Sequence, residues 1–234
     1  MNAVEIKEIK SLGQGDRVCV DMMSNFQEGH GLLIGSYNRG LFLIPCESMP
    51  NEFVNTRLAR VNAGPVSMYV LCNDLTTKYL NELKPEDELL TVNLKGNRVA
   101  NRVARSKIEP RPMLLIRGTH RLLGKSVCSL LQDEGKDYFN RYRSIIHLKD
   151  KATNKPIEVL DIEKCRNVET DICADLDVET IVQDAETVPV VLKDRKVISV
   201  KNLKLGDWIM AYIQNPKLQS RHFGMAYAGF CLER

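Results

Sequence analysis

Turn residues and alternating apolar residues recur along this sequence, and three stretches repeat one pattern. Each begins with Leu, has Gly or Glu three residues later and then Asp, and continues into a β-like run; the three are 12–20, 83–90 and 203–210. A Gly-Asp pair supplies a tight turn, and alternation at every second residue buries one face of a strand. The pattern indicates small β units.

Strand-like runs also cover much of the remaining sequence, at 32–45, 66–72, 88–110, 112–118, 180–200 and 208–214. Region 119–178 breaks this rhythm with clusters of Asp, Glu, Lys and Asn. We therefore predict a mainly β fold of two or more small barrel-like units with an inserted region of loop and short helix. The predicted division is β-rich unit(s) over 1–118, the insertion over 119–178 and a closing β unit over 179–234.

The composition is that of an ordinary globular chain, with 234 residues, 44% hydrophobic residues, 27% charged residues and a net charge of +3. The basic residues are scattered, so we predict no nucleic-acid partner. No apolar run approaches the roughly 18 residues that a membrane-spanning helix needs, so we predict no membrane span.

Seven cysteines are present, an odd number, and no C-x-x-C pair occurs. This pattern predicts reduced, buried thiols in a reducing intracellular compartment, either the cytoplasm or an organelle interior such as the plastid stroma or the mitochondrial matrix. The four histidines lack ligand-like spacing to the cysteines, so we predict no metal site.

The stretch 29–35 contains G-x-G-x-x-x-G, which invites a dinucleotide-binding interpretation. That fingerprint requires a strand before the glycines and a helix after them. Here a strand-like run follows, so glycines that allow close packing of a sheet explain the stretch better.

Several polar residues are candidates for a functional site. Arg221 and His222 adjoin in a stretch with little other charge, and either grip an anion and move a proton or lie in a solvated turn. Arg60 and Asn62 precede a rigid Ala-Gly-Pro turn, where they face a ligand or serve as a rim charge and a turn cap. The carboxylates at strand edges are either catalytic or ordinary surface groups; they are Asp21, Glu47 and Glu186.

Several blocks together resemble one known family, the archaeal-type, class II 3-dehydroquinate synthases. The blocks occur in the family's order and are GDRVCVD (15–21), GLLIGSYNRGLFLI (31–44), RVNAGPV (60–66), KYLNELKPEDELL (78–90), KIEPRP (107–112), QDAETV (183–188) and RHFGMA (221–226). The resemblance extends over nearly the whole chain except roughly 119–175.

The resemblance implies an activity on the shikimate route to aromatic amino acids. Family enzymes use NAD⁺ to deaminate an amino-dideoxy-heptulosonate oxidatively, and the product cyclises to 3-dehydroquinate. It implies His222, Asp21 and Glu47 as catalytic residues. It implies substrate binding by Arg221, Arg60, Asn62 and Glu186, with Arg221 on the substrate carboxylate. The residues that would bind NAD are not identified.

Two departures from the family pattern lead to two hypotheses. Family enzymes have an additional N-terminal α/β half, and reactive positions differ here, as in Gly29-His30-Gly31 and Ile44-Pro45-Cys46-Glu47. Under the first hypothesis the chain is an enzyme part whose other half is absent or comes from another chain. Under the second it is a pseudoenzyme that serves as a structural or interaction subunit of a larger assembly.

Overall fold

A computed structural model describes residues 1–27, 29–37, 40–47, 56–93, 95–123, 127, 146–157 and 172–213. The described part is mainly β, which confirms the predicted class. Within these ranges no helix is long and apolar enough to cross a membrane. The described cysteines, Cys19, Cys46, Cys72 and Cys173, are buried and free, in agreement with the prediction.

The described residues form thirteen strands and two short 3-10 turns. The strands are β1 (Asn2–Met22), β2 (Gly31–Tyr37), β3 (Gly40–Pro45), β4 (Arg60–Pro65), β5 (Tyr69–Leu71), β6 (Thr77–Tyr79), β7 (Glu88–Val92), β8 (Arg98–Leu123), β9 (Ile146–Asp150), β10 (Ile172–Gln183), β11 (Pro189–Val191), β12 (Val197–Ser199) and β13 (Trp208–Ile213). The 3-10 turns are Leu80–Glu82 and Val200–Asn202.

One sheet contains eleven of these strands, in the order β4-β1-β13-β3-β2-β7-β8-β10-β9 with β5 and β6 attached to β2. Strand β1 also pairs with β8, so the hydrogen-bonded path returns on itself. The result is not a clean barrel, because β4, β9 and β10 extend the sheet beyond the ring. Most of the elements expected in separate barrel-like units are therefore joined in one sheet, while β11 and β12 form a second, two-stranded sheet.

The long strands β1 and β8 organise this sheet. They pair antiparallel from Glu5↔Thr119 to Met22↔Val103, with register shifts along the way. One shift lies between Ser11 and Gly13, where Gly13 has φ 78°. Positive φ suits glycine, and an extra residue of this kind bends a strand without ending it. The predicted turn of 12–20 is therefore a bulge inside β1.

Two hairpin arms repeat one backbone at a spacing of 120 residues: the first arm is 69–88 and the second arm is 189–208. Each contains a two-stranded hairpin followed by a 3-10 turn. The side chain of Asp87 accepts from the Lys84 amide at 2.9 Å, and Asp207 accepts from the Lys204 amide at 2.8 Å. Both aspartates therefore close their turns by accepting from backbone amides, in keeping with the turns expected in 83–90 and 203–210.

Two apolar clusters hold the sheet together. The larger one includes Ile6, Val20, Phe42 and Ile116, which come from strands of the ring. The second core is smaller and includes Leu33, Leu41 and Leu43 from β2 and β3, together with residues of both arms. The strands of each arm therefore contribute residues to both clusters, Val70 and Val190 to the larger one and Leu71 and Val191 to the second core.

Strands continue into the segment predicted as an insertion. The boundary at 118/119 lies within β8, and the boundary at 178/179 lies within β10. Strand β9 pairs with β10, from Ile172↔Asp150 to Leu176↔Ile146. The segment thus contributes strands to the main sheet, while the division of the chain into domains stays a prediction.

Candidate functional site

Four of the predicted site residues lie together at one end of the sheet. Strand β4 pairs antiparallel with β1, and this register sets Asp21 opposite Arg60 and Cys19 opposite Asn62. Glu47 follows β3 and donates its backbone amide to the Arg60 carbonyl at 2.9 Å. Alternate residues of a strand share a face, so these side chains collect on one side of neighbouring strands.

Asp21 is the centre of an ion-pair group. Arg60 donates from Nε to Asp21 Oδ1 at 2.6 Å and from Nη2 to Oδ2 at 2.8 Å. Arg105 of β8 donates from Nε to Asp21 Oδ2 at 2.6 Å. Bidentate arginine–carboxylate contacts constrain the orientation of the guanidinium, so Arg60 is held in one orientation.

A second chain of hydrogen bonds starts at Glu47. Asn62 donates from Nδ2 to Glu47 Oε1. Arg17 donates from Nη1 to Asn62 Oδ1 at 2.9 Å and from Nη2 to Glu109 Oε2 at 2.9 Å. The amide orientation of Asn62 follows from these partners, because its oxygen faces a donor and its nitrogen faces a carboxylate. We call all seven residues the β4–β1–β8 cluster; they are Arg17, Asp21, Glu47, Arg60, Asn62, Arg105 and Glu109.

Two polar atoms of this cluster are buried without a partner among the described residues: Glu47 Oε2 and Arg17 Nε. One is an acceptor and the other a donor. An unpaired buried polar atom costs roughly 1–3 kcal/mol, so such atoms are uncommon and call for an explanation. A polar ligand group that meets them would recover this energy.

Interactions within the cluster shift the pKa values of Asp21 and Arg60 in opposite directions. Hydrogen bonding from Arg60 holds the pKa of Asp21 below its usual value, and the Asp21 carboxylate raises the pKa of Arg60. Burial raises the pKa of Cys19, although Arg60 and Arg17 act against this shift. Asp21 is therefore ionised at neutral pH, and Cys19 is a protonated thiol.

The remaining predicted residues are not joined to this cluster. Glu186 is exposed in the turn after β10, and within the described ranges no hydrogen bond or ion pair links it to Asp21, Glu47, Arg60 or Asn62. Arg221 and His222 lie outside the described residues, so their roles stay predictions.

Sequence reasoning missed three members of the cluster: Arg17, Arg105 and Glu109. Arg17 could have been found, because it precedes Asp21 by four residues in one strand and so shares its face. Arg105 and Glu109 reach the site through the pairing of β8 with β1, over about ninety residues of sequence. No local sequence pattern predicts such a long-range strand pairing.

A separate cleft of about 370 Å³ lies where β1, β8 and β10 meet. Arg117 lies between two carboxylates of this cleft, donating from Nε to Glu179 Oε2 at 2.6 Å and from Nη1 to Glu8 Oε2 at 2.9 Å. It contains none of the predicted site residues.

The stretch 29–35 is not a dinucleotide-binding turn in this structure. A β-carbon on Gly31 would lie 2.2 Å from the carbonyl oxygen of Ile44, so this glycine permits close packing of β2 on β3. Within the described ranges, no glycine-rich turn leads from a strand into a helix.

Comparison with known proteins identifies the lineage of this arrangement. The family described as the 3-dehydroquinate synthase II C-terminal domain matches residues 3–138 and 144–234. The chain belongs to this family. The match includes most of the segment 119–178, and it contains every residue of the β4–β1–β8 cluster.

Relatives named 3-dehydroquinate synthase match along nearly the whole chain. The protein from Methanopyrus kandleri is 39% identical over 223 residues, which is 95% of this chain and 42% of the relative. The one from Methanosphaera stadtmanae is 35% identical over 234 residues, 100% of this chain and 50% of the relative. The chain therefore spans about half the length of these relatives. No solved structure matches it.

Proposed function

We propose that this chain serves a 3-dehydroquinate synthase reaction by binding the amino-dideoxy-heptulosonate substrate at the β4–β1–β8 cluster. The observation that carries the proposal is the convergence of Asp21, Glu47, Arg60 and Asn62 in one cluster. They come from three separate segments of the sequence, and the same cluster contains a buried acceptor and a buried donor without partners among the described residues. The relatives' shared name supports the choice of reaction.

Glu47 is the proton-transfer group in this proposal. Asn62 holds its Oε1, and Arg17 in turn holds Asn62, so Oε2 is the oxygen that accepts a proton from a hydroxyl or amine of the substrate. Arg17 Nε donates to an oxygen of the substrate. A base whose position is fixed by other side chains is the arrangement that proton transfer requires.

Asp21 takes a positioning role rather than a catalytic one. A carboxylate with a lowered pKa is a poor proton carrier near neutral pH, and Asp21 is bound to two arginines. It holds Arg60 through Nε and Nη2, which leaves Nη1 for an anionic group of the ligand. Arg221 as carboxylate partner, His222 as proton carrier and Glu186 as substrate contact remain part of the proposal as predictions from sequence.

The experiment measures 3-dehydroquinate by chromatography after incubation with the amino sugar acid and NAD⁺. The protein is isolated from its source together with any companion chains, since the chain spans about half of its relatives. Glu47→Gln is expected to lower kcat by about 100-fold or more with little change in KM. Glu88→Gln, in an exposed pair with Arg102, is the matched control and is expected to retain full activity.

An unchanged rate in Glu47→Gln contradicts the assignment of Glu47. His222→Ala and Arg221→Ala test the remaining assignments. Each is expected to lower the rate of NADH formation without lowering the melting temperature.

A second candidate function is a non-catalytic subunit of a larger assembly. The observation in its favour is that the cluster's charges compensate one another, Asp21 with two arginines and Arg17 with Glu109, as in a structural ion-pair network. The native mass of the endogenous protein, with its companions identified by mass spectrometry, separates the two functions. A large assembly of unrelated chains without synthase activity supports the subunit, whereas a small complex that forms 3-dehydroquinate supports the enzyme.

A further inference from the structure

The two hairpin arms have the same backbone and opposite charge. Segment 73–88 of the first arm contains two lysines and five carboxylates, a net charge of −3. The equivalent segment 193–208 of the second arm contains five basic residues and two aspartates, a net charge of +3. The arms therefore differ by six charges over sixteen matched positions.

The difference does not involve the aspartates that close the turns. The aspartates that close the turns are retained in both arms: Asp74 and Asp194 each accept from the amide two residues later at 3.0 Å. The positions that change the charge are mostly exposed. In the second arm they include Lys193, Arg195, Lys196 and Lys201, and in the first arm Glu86 and Glu88.

Neither arm neutralises the other within the chain. In the second arm, Arg195, Lys196 and Lys204 form no ion pair with any described residue, and Lys201 pairs with Asp184 outside the arm. In the first arm, Glu86 likewise has no ion-pair partner in the described ranges. No ion pair of the described residues joins one arm to the other, although both arms pack on the second core.

We propose that the arms form an interface between two copies of this chain, with the first arm of one copy on the second arm of the other. Complementary potentials speed association, fix its register and disfavour other pairings. In a pair of copies related by a two-fold axis, any contact between two different patches is made twice. This contact does not depend on the chain having an activity.

The test measures molecular mass by sedimentation velocity at low and high salt. The wild-type protein is expected to form dimers at about 50 mM salt, and its dissociation constant is expected to rise at least about tenfold at about 500 mM. One variant reverses the first arm with Asn81→Lys, Glu86→Lys and Glu88→Lys. Another reverses the second arm with Arg195→Glu, Lys196→Glu and Lys204→Glu.

Each arm variant alone is expected to be monomeric, because both of its arms then have the same sign. An equimolar mixture of the two is expected to form dimers, since each arm again meets an arm of opposite charge. The control Lys10→Glu, Lys151→Glu, Lys155→Glu makes the same change in net charge as the second-arm variant at exposed positions elsewhere and is expected to dimerise like the wild type.

Three results overturn the proposal: a wild-type monomer at low salt, arm variants that dimerise on their own, or a mixture that stays monomeric. Circular dichroism melting of each variant establishes that it is folded. A wild-type monomer whose second arm binds a nucleic-acid probe would instead assign that arm to a polyanion and would also overturn the proposal.

Discussion

Replacing Asp21 by Asn tests the central ion pair of the candidate site. The carboxylate is 15% exposed and accepts two hydrogen bonds from Arg60, whose side chain is 18% exposed. Asparagine keeps the size of the side chain but removes its charge and one acceptor. The Arg60 guanidinium then remains largely buried without a counter-charge, which is the costly way to break such a pair.

The free energy of unfolding that Asp21→Asn is expected to remove lies between the values typical of surface and of buried ion pairs. Opposite charges about 4 Å apart attract by about 4 kcal/mol at an effective dielectric constant of about 20. Desolvation and ordering of the side chains offset part of this, and Arg105 is exposed and contributes little. We expect Asp21→Asn to lower the free energy of unfolding by about 2 kcal/mol. This corresponds to a decrease of about 4–8 °C in the melting temperature.

The assay is urea unfolding at pH 7 together with the double-mutant cycle of Asp21→Asn and Arg60→Met. The control is Glu88→Gln, because Glu88 and Arg102 form a pair whose side chains are 43% and 59% exposed. Pairs of that kind contribute at most about 1 kcal/mol. If Asp21→Asn costs no more than Glu88→Gln, the ion pair does not stabilise this site.

The pH dependence gives the same test an independent readout. The pKa of Asp21 is lowered in the folded protein by Arg60, so its stabilisation is present above its unfolded pKa of about 3.9. That stabilisation is lost as pH falls below this value towards the folded-state pKa. We expect the wild type to lose its advantage over Asp21→Asn as pH decreases below about 4.

Three further predictions concern buried groups. Burial lowers the pKa of His30, so the free energy of unfolding should fall as pH drops below about 6.5. His30→Gln should therefore reduce the decrease in melting temperature between about pH 7.5 and about pH 5.5. An unchanged pH dependence of the melting temperature contradicts this. Gly31→Ala should cost about 2–3 kcal/mol because its β-carbon meets the Ile44 carbonyl oxygen, whereas Gly13→Ala, with open space and φ 78°, should cost about 1 kcal/mol; equal losses in urea unfolding would refute the packing argument. Burial raises the pKa of Cys72 to about 11, so iodoacetamide at pH 8 should modify it only after unfolding; rapid modification of the native protein, mapped by mass spectrometry, would show that the thiol is accessible.

The β class was predictable because alternation along each strand is a local property of the sequence. The turns at Asp87 and Asp207 were predictable for the same reason, since their hydrogen bonds span three residues. The stretch Gly13-Gln14-Gly15 has similar local signals but lies inside a continuous strand. There β8 supplies hydrogen bonds from far along the sequence, and a distant partner overrides the local preference for a turn.

The candidate site was predictable in part. A carboxylate at the end of an apolar strand suggested Asp21, and the Ala-Gly-Pro stretch suggested Arg60 and Asn62; the structure places all three in one cluster. The turn predicted at Ala-Gly-Pro is wrong, because these residues lie within β4 and pair with β1. The same reasoning selected Glu186, which lies apart from the cluster, because a position at a strand edge says nothing about which edges meet. Arg17 was overlooked because a single arginine before an apolar strand resembles a solvated charge; its burial depends on Glu109 and Asn62.

The pairing of β1 has a consequence for how this protein folds. Much of β1 pairs with β8, and its first residues pair with β13, as in Asn2↔Ala211. The ribosome therefore synthesises these two partner strands about one hundred and about two hundred residues after β1. Contacts of such long sequence separation make folding slow, because a long loop must close before the contact stabilises anything. During synthesis the run around Val18 and Val20 can pair along one edge with β4, about forty residues later, but its other edge stays unpaired until β8 has emerged. Expression at high levels is therefore expected to favour aggregation through this strand, and slower synthesis or chaperones should raise the soluble yield.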